Sequence, residues 1–250
     1  MATRKTVFAA TILLFSTTRA QAQHSHADGA MIGSTEAEMS LMAPHLMSPP
    51  PRRATAADSA RAYKVVASLR SAIAKYRDIR VAQADGFKMF APHIKNQNVY
   101  HFTKGSWAFR NKFTFNPGRP TSLLYRKDAK GNFVLIGAMY TAPLRYSASD
   151  LDKRIPTSIA HWHKHVNWCL PRKGDDSRLF EVRNGRPVFG PLGVSTREQC
   201  DAANGQFSKE IFSWMAHAEI FSSNDLGTIW ADNRMRGDEL MGRGAYRVGQ

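Results

Sequence analysis

Between Thr55 and Ala84, apolar side chains recur at Tyr63, Val66, Leu69, Ile73 and Tyr76. Spacings of three and four predict one long amphipathic helix there. Thr55 and Asp58 stand where side chains take up the first free amides of a helix, and Gly86 stands where a left-handed residue ends one. Arg61, Lys64, Arg70, Lys75, Arg77 and Arg80 make much of the other face basic, as on a solvated helix face. Beyond this segment the pattern turns to strands. Residues 99–102 form a short candidate, and the apolar runs 121–126 and 133–141 flank the polar stretch 127–132, which predicts a hairpin. Residues 158–168 read as a further strand and 206–215 as a second helix with Ile211, Trp214 and Met215 inward. Residues 216–221 fit either the last turn of that helix or a strand. No internal repeat is visible. The expected fold is α+β, a long N-terminal amphipathic helix packed on a mainly antiparallel sheet.

Ahead of the helix the chain has a different character. Arg4 and Lys5 precede an apolar run over 6–18, and Ala20 and Ala22 place small residues at the −3 and −1 positions of a signal-peptidase site. Residues 1–22 therefore read as a signal peptide, and the protein as exported, periplasmic or extracellular. Residues 23–54, with Gly29, Gly33, Pro44 and Pro49 to Pro51 and no apolar period, read as a disordered linker. This arm carries His24, His26 and His45 beside Met31, Met39, Met42 and Met47, a mixture that suits copper, although Met is also common filler in flexible arms. Residues 55–250 are left as a single α+β domain.

Composition narrows the class. Across 250 residues, 43% hydrophobic and 10% aromatic side chains are enough to build a core, which excludes wholesale disorder. No apolar run reaches the ~20 residues of a membrane-spanning helix, so no span is expected in the mature chain. The 2 cysteines exclude a disulfide-framework miniprotein and a four-cysteine zinc site. In an oxidising compartment Cys169 and Cys200 can form a disulfide; the alternative is two buried thiols. The 35 basic against 20 acidic residues give a formal charge of +15. No nucleic-acid motif and no compact basic cluster threaded with aromatics accompany that charge, which argues against nucleic acid. An anionic envelope polymer or lipid surface is the easier partner, and a dispersed solvated surface without a polyanion partner is the equal alternative.

The chemistry lies in the histidines. The segment His161-Trp162-His163-Lys164-His165 places three imidazoles on one face if it is a strand, and pairs His161 with His165 if it is a helix. Either arrangement brings two ring nitrogens within reach of one ion ~2.0–2.1 Å away, and a third ligand must come from elsewhere. A row of histidines that hydrogen-bonds a substrate, or a merely polar strand, is the competing reading. His163, flanked on both sides, is the safest ligand. His101 (in Tyr100-His101-Phe102) and His217 (in Ala216-His217-Ala218-Glu219) are the best further candidates, and His93 is weaker. Glu219 is read as the catalytic acid or base, with a carboxylate ligand or an acceptor orienting an imidazole as alternatives. Hydrolase elbows, Walker loops and dinucleotide fingerprints are absent.

Several segments resemble an uncharacterised family of exported bacterial proteins. They are Tyr76-Arg77-Asp78 through Ala84-Asp85-Gly86-Phe87, then Tyr100-His101-Phe102, then Pro120 with Leu123-Leu124-Tyr125 and Gly137-Ala138-Met139-Tyr140. The last is His217, Phe221, Asn224 and Gly227 with Trp230-Ala231-Asp232. The resemblance implies that His101 and His217 belong to one shared feature. Together these readings give a mononuclear site built from His101, His163, His217 and one or both of His161 and His165. Its cofactor is a transition metal ion, copper or zinc ahead of iron. The site serves either a hydrolytic or oxidative enzyme or a copper or zinc binding and delivery protein of the cell envelope. A third possibility is an envelope interaction module without metal.

Overall fold

The computed structural model describes residues 43–94 and 97–231. The expected signal peptide, the arm as far as Met42 and the chain from Asp232 onward lie outside those residues. A 3₁₀ turn at Ala43–His45 leads into β1 (Leu46–Met47). Then come α1 (Ala56–Ile73), a 3₁₀ turn (Ala74–Arg77), α2 (Ile79–Ala84), β2 (Lys88–Met89), β3 (Tyr100–Thr103) and α3 (Gly105–Arg110). The hairpin β4 (Ser122–Lys127) and β5 (Phe133–Ala142) is followed by α4 (Ala148–Arg154) and β6 (His163–Pro171). After a 3₁₀ turn (Asp176–Phe180), β7 (Val182–Arg183) and β8 (Arg186–Pro187) form a small hairpin of their own. The described chain closes with α5 (Arg197–Ala202), β9 (Gly205–Ala218) and α6 (Leu226–Ile229). The main sheet has 7 strands in the order β1-β6-β9-β5-β4-β3-β2, every pair antiparallel. The fold is α+β.

Thr55 and Asp58 close a reciprocal capping box at the start of α1, each side chain bonding the other's backbone amide. The helix buries Ala62, Val65, Val66, Leu69 and Ile73, while Tyr63, expected inward, is 51% exposed. It does not run unbroken to Ala84 as expected. The backbone tightens into the 3₁₀ turn, and Asp78 caps a fresh short helix by accepting from the Arg80 amide. Tyr76 is buried there, its hydroxyl donating to Asp85 at 2.6 Å.

Two strand expectations also need correction. Residues 206–215 are strand, because β9 pairs with β6 over residues 205–211 and at Met215, and with β5 over residues 214–218. That pairing overrides a helical spacing which few residues supported. The strand expected to begin at 158 begins at His163, since Pro156 to Ala160 fold into a turn closed by Ala160 N–H on the Pro156 carbonyl at 2.8 Å.

The end of the arm belongs to the fold. Leu46 and Met47 pair with His165 and Lys164 on β6. His45 is fully buried, with Nδ1 and Nε2 each 2.9 Å from a backbone carbonyl, those of Asn167 and Gly193. Arg52 grips Asp58 and Asp152. Residues 43–54 were expected in a disordered linker because their pattern has no period. Pairing at a sheet edge needs no such pattern.

Alternation sorts the sheet into two faces. Tyr100, Phe102, Leu123, Tyr125, Ala138, Tyr140, Trp214 and Ala216 join α1 and α6 in the main hydrophobic core. The intervening residues, among them His101, Ser122, Met139, Met215 and His217, occupy the opposite face. Cys169 and Cys200 are joined, Cα atoms 5.4 Å apart, and tie β6 to α5 over a second small core with Val188, Phe189 and Ala203. Among the described residues no helix is long and apolar enough to cross a membrane.

Candidate functional site

Strand register assembles the histidines. His101 stands opposite Leu124, Leu124 opposite Gly137, Met139 opposite His217, and Met215 opposite His163. Directly opposed residues have Cβ atoms about 4.5–5.5 Å apart, so side chains from five strands meet on one face. Between β6 and β9 the register slips: His163 faces Met215 and His165 faces Ile211, leaving Phe212, Ser213 and Trp214 against Lys164 alone. Phe212 takes a φ of +65°, a left-handed conformation costly for an aromatic residue and one that clusters at functional sites. The bulge re-aims it. Its ring packs edge-on against His165, Trp168 and Phe90 at centroid distances of 5.9, 5.6 and 5.9 Å.

His101, His163, His165 and His217 are all buried. The Nε2 atoms of His101 and His217 are 3.5 Å apart, longer than the usual ~3.2 Å limit of a good nitrogen-donor hydrogen bond. Two ligands ~2.0–2.1 Å from one tetrahedral ion lie about 3.3–3.4 Å from each other. The pair therefore has the separation of ligands sharing an ion. Ring centroids are 5.3 Å apart for His163 and His217, and 5.6 Å for His163 and His165. His163 Nδ1 lies 3.3 Å from the His161 carbonyl oxygen.

Burial governs the charge of the cluster. Desolvation pushes the His101 pKa down to about 4, against an upward pull from the Val99 backbone. His165 is pushed down to about 3, by burial first and then by His163, His45 and His101. His217 lies well below its ordinary value, by burial first and then through His101 and His165. These three imidazoles are neutral at physiological pH, the form that binds metal. His165 Nδ1 and the indole N–H of the adjoining Trp168 are buried with no hydrogen-bond partner, an expense that native structures rarely leave uncompensated.

A cavity of about 250 Å³ opens onto the cluster, with His101, His165, His217, Met139 and Met215 in its wall. Phe90, Phe212 and Lys112, all exposed, also line it and connect it to solvent. Four of its hydroxyls are paired with each other, Thr103 with Ser122 and Thr121 with Thr141, each at 2.7 Å. Among the described residues no Asp or Glu lines it.

Four of the five expected ligands are thus brought together. His161 is the exception: it precedes β6 and is exposed, because the turn before it ends too late for the three imidazoles to share a strand face. His93 is exposed in a loop. Glu219, expected as acid or base, is buried outside the cavity wall, with its Oε1 accepting from Arg126 Nη2 at 2.8 Å. Among the described residues no group of three or more His, Cys, Asp or Glu stands ready-made to hold a metal ion. Sequence reasoning missed Met139, Met215 and Phe212. The alternation of the β4–β5 hairpin already put Met139 on the face away from Tyr140; the bulge that aims Phe212 left no trace in the pattern. The chain matches no protein family model, no curated protein and no solved structure.

Proposed function

We propose that this is an exported protein that binds a transition metal ion through His101 and His217, with His163 and His165 completing the site. The observation that carries the reading is the 3.5 Å separation of two buried Nε2 atoms, in a cluster whose other imidazoles lie one ring away. The disulfide is compatible with an oxidising compartment. Capture and release are favoured over hydrolysis. Glu219 is engaged by Arg126, and among the described residues the cavity wall offers no carboxylate to move a proton. The cavity then serves as the route by which the ion enters. A second reading, an enzyme acting on a small molecule held beside the ion, draws on that same cavity volume of about 250 Å³.

The test offers zinc, copper and iron separately to the purified, metal-free protein at neutral pH. One ion per chain is expected. His101→Ala and His217→Ala should each weaken binding beyond the about 10–100-fold that even partners outside the coordination sphere command. Glu219→Gln should leave metal content unchanged. Failure to bind any of the three ions would end the proposal, and turnover by the loaded protein in a substrate screen would select the second reading.

A further inference from the structure

We infer that the ion this site selects is monovalent copper, with the thioethers of Met139 and Met215 as ligands beside the imidazoles. The inference rests on the metal-binding reading above and adds the identity of the ion. Three observations carry it. Met139 stands directly opposite His217 and Met215 directly opposite His163, and both methionines line the cavity that holds His101, His165 and His217. Among the described residues, the donors of the cavity wall are all neutral: imidazole nitrogens, thioether sulfurs, hydroxyls and the Asn111 amide. The remaining charged side chain of the wall is Lys112, a cation.

Charge and softness then choose between ions. The cost of moving an ion from water into a low-dielectric site rises with the square of its charge, so a dication without an anionic ligand pays about four times the penalty of a monocation. Zinc sites that offset it commonly use thiolate or carboxylate ligands, and here both cysteines are bonded to each other and Glu219 is held by Arg126. Thioethers are soft donors that favour Cu(I), and imidazole accepts copper as readily as zinc. Methionine also adapts its three rotatable bonds to an irregular site, so the sulfurs can approach an ion without movement of the strands.

The experiment is a competition on the full mature chain, with Cu(I) offered under anaerobic conditions against a chromophoric Cu(I) chelator, and Zn(II) against a zinc chelator. Wild type should hold Cu(I) more tightly than Zn(II). The volume-conserving double variant Met139→Leu, Met215→Leu should lose at least about tenfold in Cu(I) affinity, the lower bound for disturbing even an outer partner, while its Zn(II) affinity stays the same. X-ray absorption at the copper edge of the wild-type protein gives a readout that does not depend on the variant folding, and sulfur neighbours are expected in the first shell. A copper shell of nitrogen and oxygen alone, an unchanged Cu(I) affinity in a folded double variant, or tighter binding of Zn(II) would overturn the inference and leave the metal site standing. Absence of binding by both ions would remove the metal site as well.

Discussion

At Gly137 an added Cβ would lie 1.8 Å from the Ala218 carbonyl oxygen and 2.9 Å from the Glu219 Cα. Strands β5 and β9 approach there as only glycine permits, immediately beside His217. Both obstacles are backbone, so no side chain can swing aside. Gly137→Ala should therefore cost about 3 kcal/mol or more, at or above the upper end for overpacking, read as a lower urea midpoint with an unchanged slope. The same residue illustrates how far sequence went. Its place in Gly137-Ala138-Met139-Tyr140 marked a hairpin strand, but the strand lying against it is 81 positions away in the chain, beyond any local pattern. His101 and His217 were legible as candidates. Their 3.5 Å approach follows from the stacking order of β3, β4, β5 and β9, which a single sequence does not display.

The arm and the bulge make the case for elements. Strand β1 is two residues long, yet its register places Leu46 against His165, and the buried His45 ring meets the carbonyl oxygens of Asn167 and Gly193. Arg52 joins the start of α1 to α4 through Asp58 and Asp152. A chain beginning at Thr55 loses all of these. At about 1 kcal/mol for each hydrogen bond made to a group left buried, the truncation should lower stability by at least about 2 kcal/mol, seen as a reduced melting temperature relative to a chain beginning at Ala43. Equal melts would show that the edge contacts are energetically idle. A Pro-rich segment with no period looks dispensable because its contacts are backbone pairings and one buried ring. Those depend on the partner strand more than on the segment's own composition.

For the whole molecule, the buried imidazoles set a pH dependence. In the unfolded chain His101, His165 and His217 titrate near ~6.5; in the fold burial lowers all three, to about 4 for His101 and about 3 for His165. Between those values and 6.5 the unfolded state binds more protons than the folded one, so stability falls as pH falls through that window. Each histidine contributes a slope of up to about 1.4 kcal/mol per pH unit, and three give up to about 4. Urea midpoints of the metal-free protein should drop steeply from pH 7 to pH 5. The depressed carboxylates of Asp58 and Asp152 act below their ordinary value of 3.8, outside this range. A flat profile would mean that the rings are not buried together.

What the sequence determined by itself was local or chemical. The capping box of Thr55 and Asp58, the β4–β5 hairpin, the α+β class and the pairing of two cysteines all follow from short-range pattern or from residue supply. His101, His161, His163, His165 and His217 could be chosen as a set because imidazole is chemically distinctive and three of them fall within five residues. Tertiary structure decided the rest. It turned residues 206–215 from helix to strand, because ladder pairing with β6 and then β5 outweighs a weak local spacing. It held His161 out of the cluster, ordered the arm at the sheet edge, tied Glu219 to Arg126, and set two methionines opposite two histidines. Each of those outcomes is a contact between segments far apart in the chain, and such contacts are fixed by strand order and register rather than by the residues on either side.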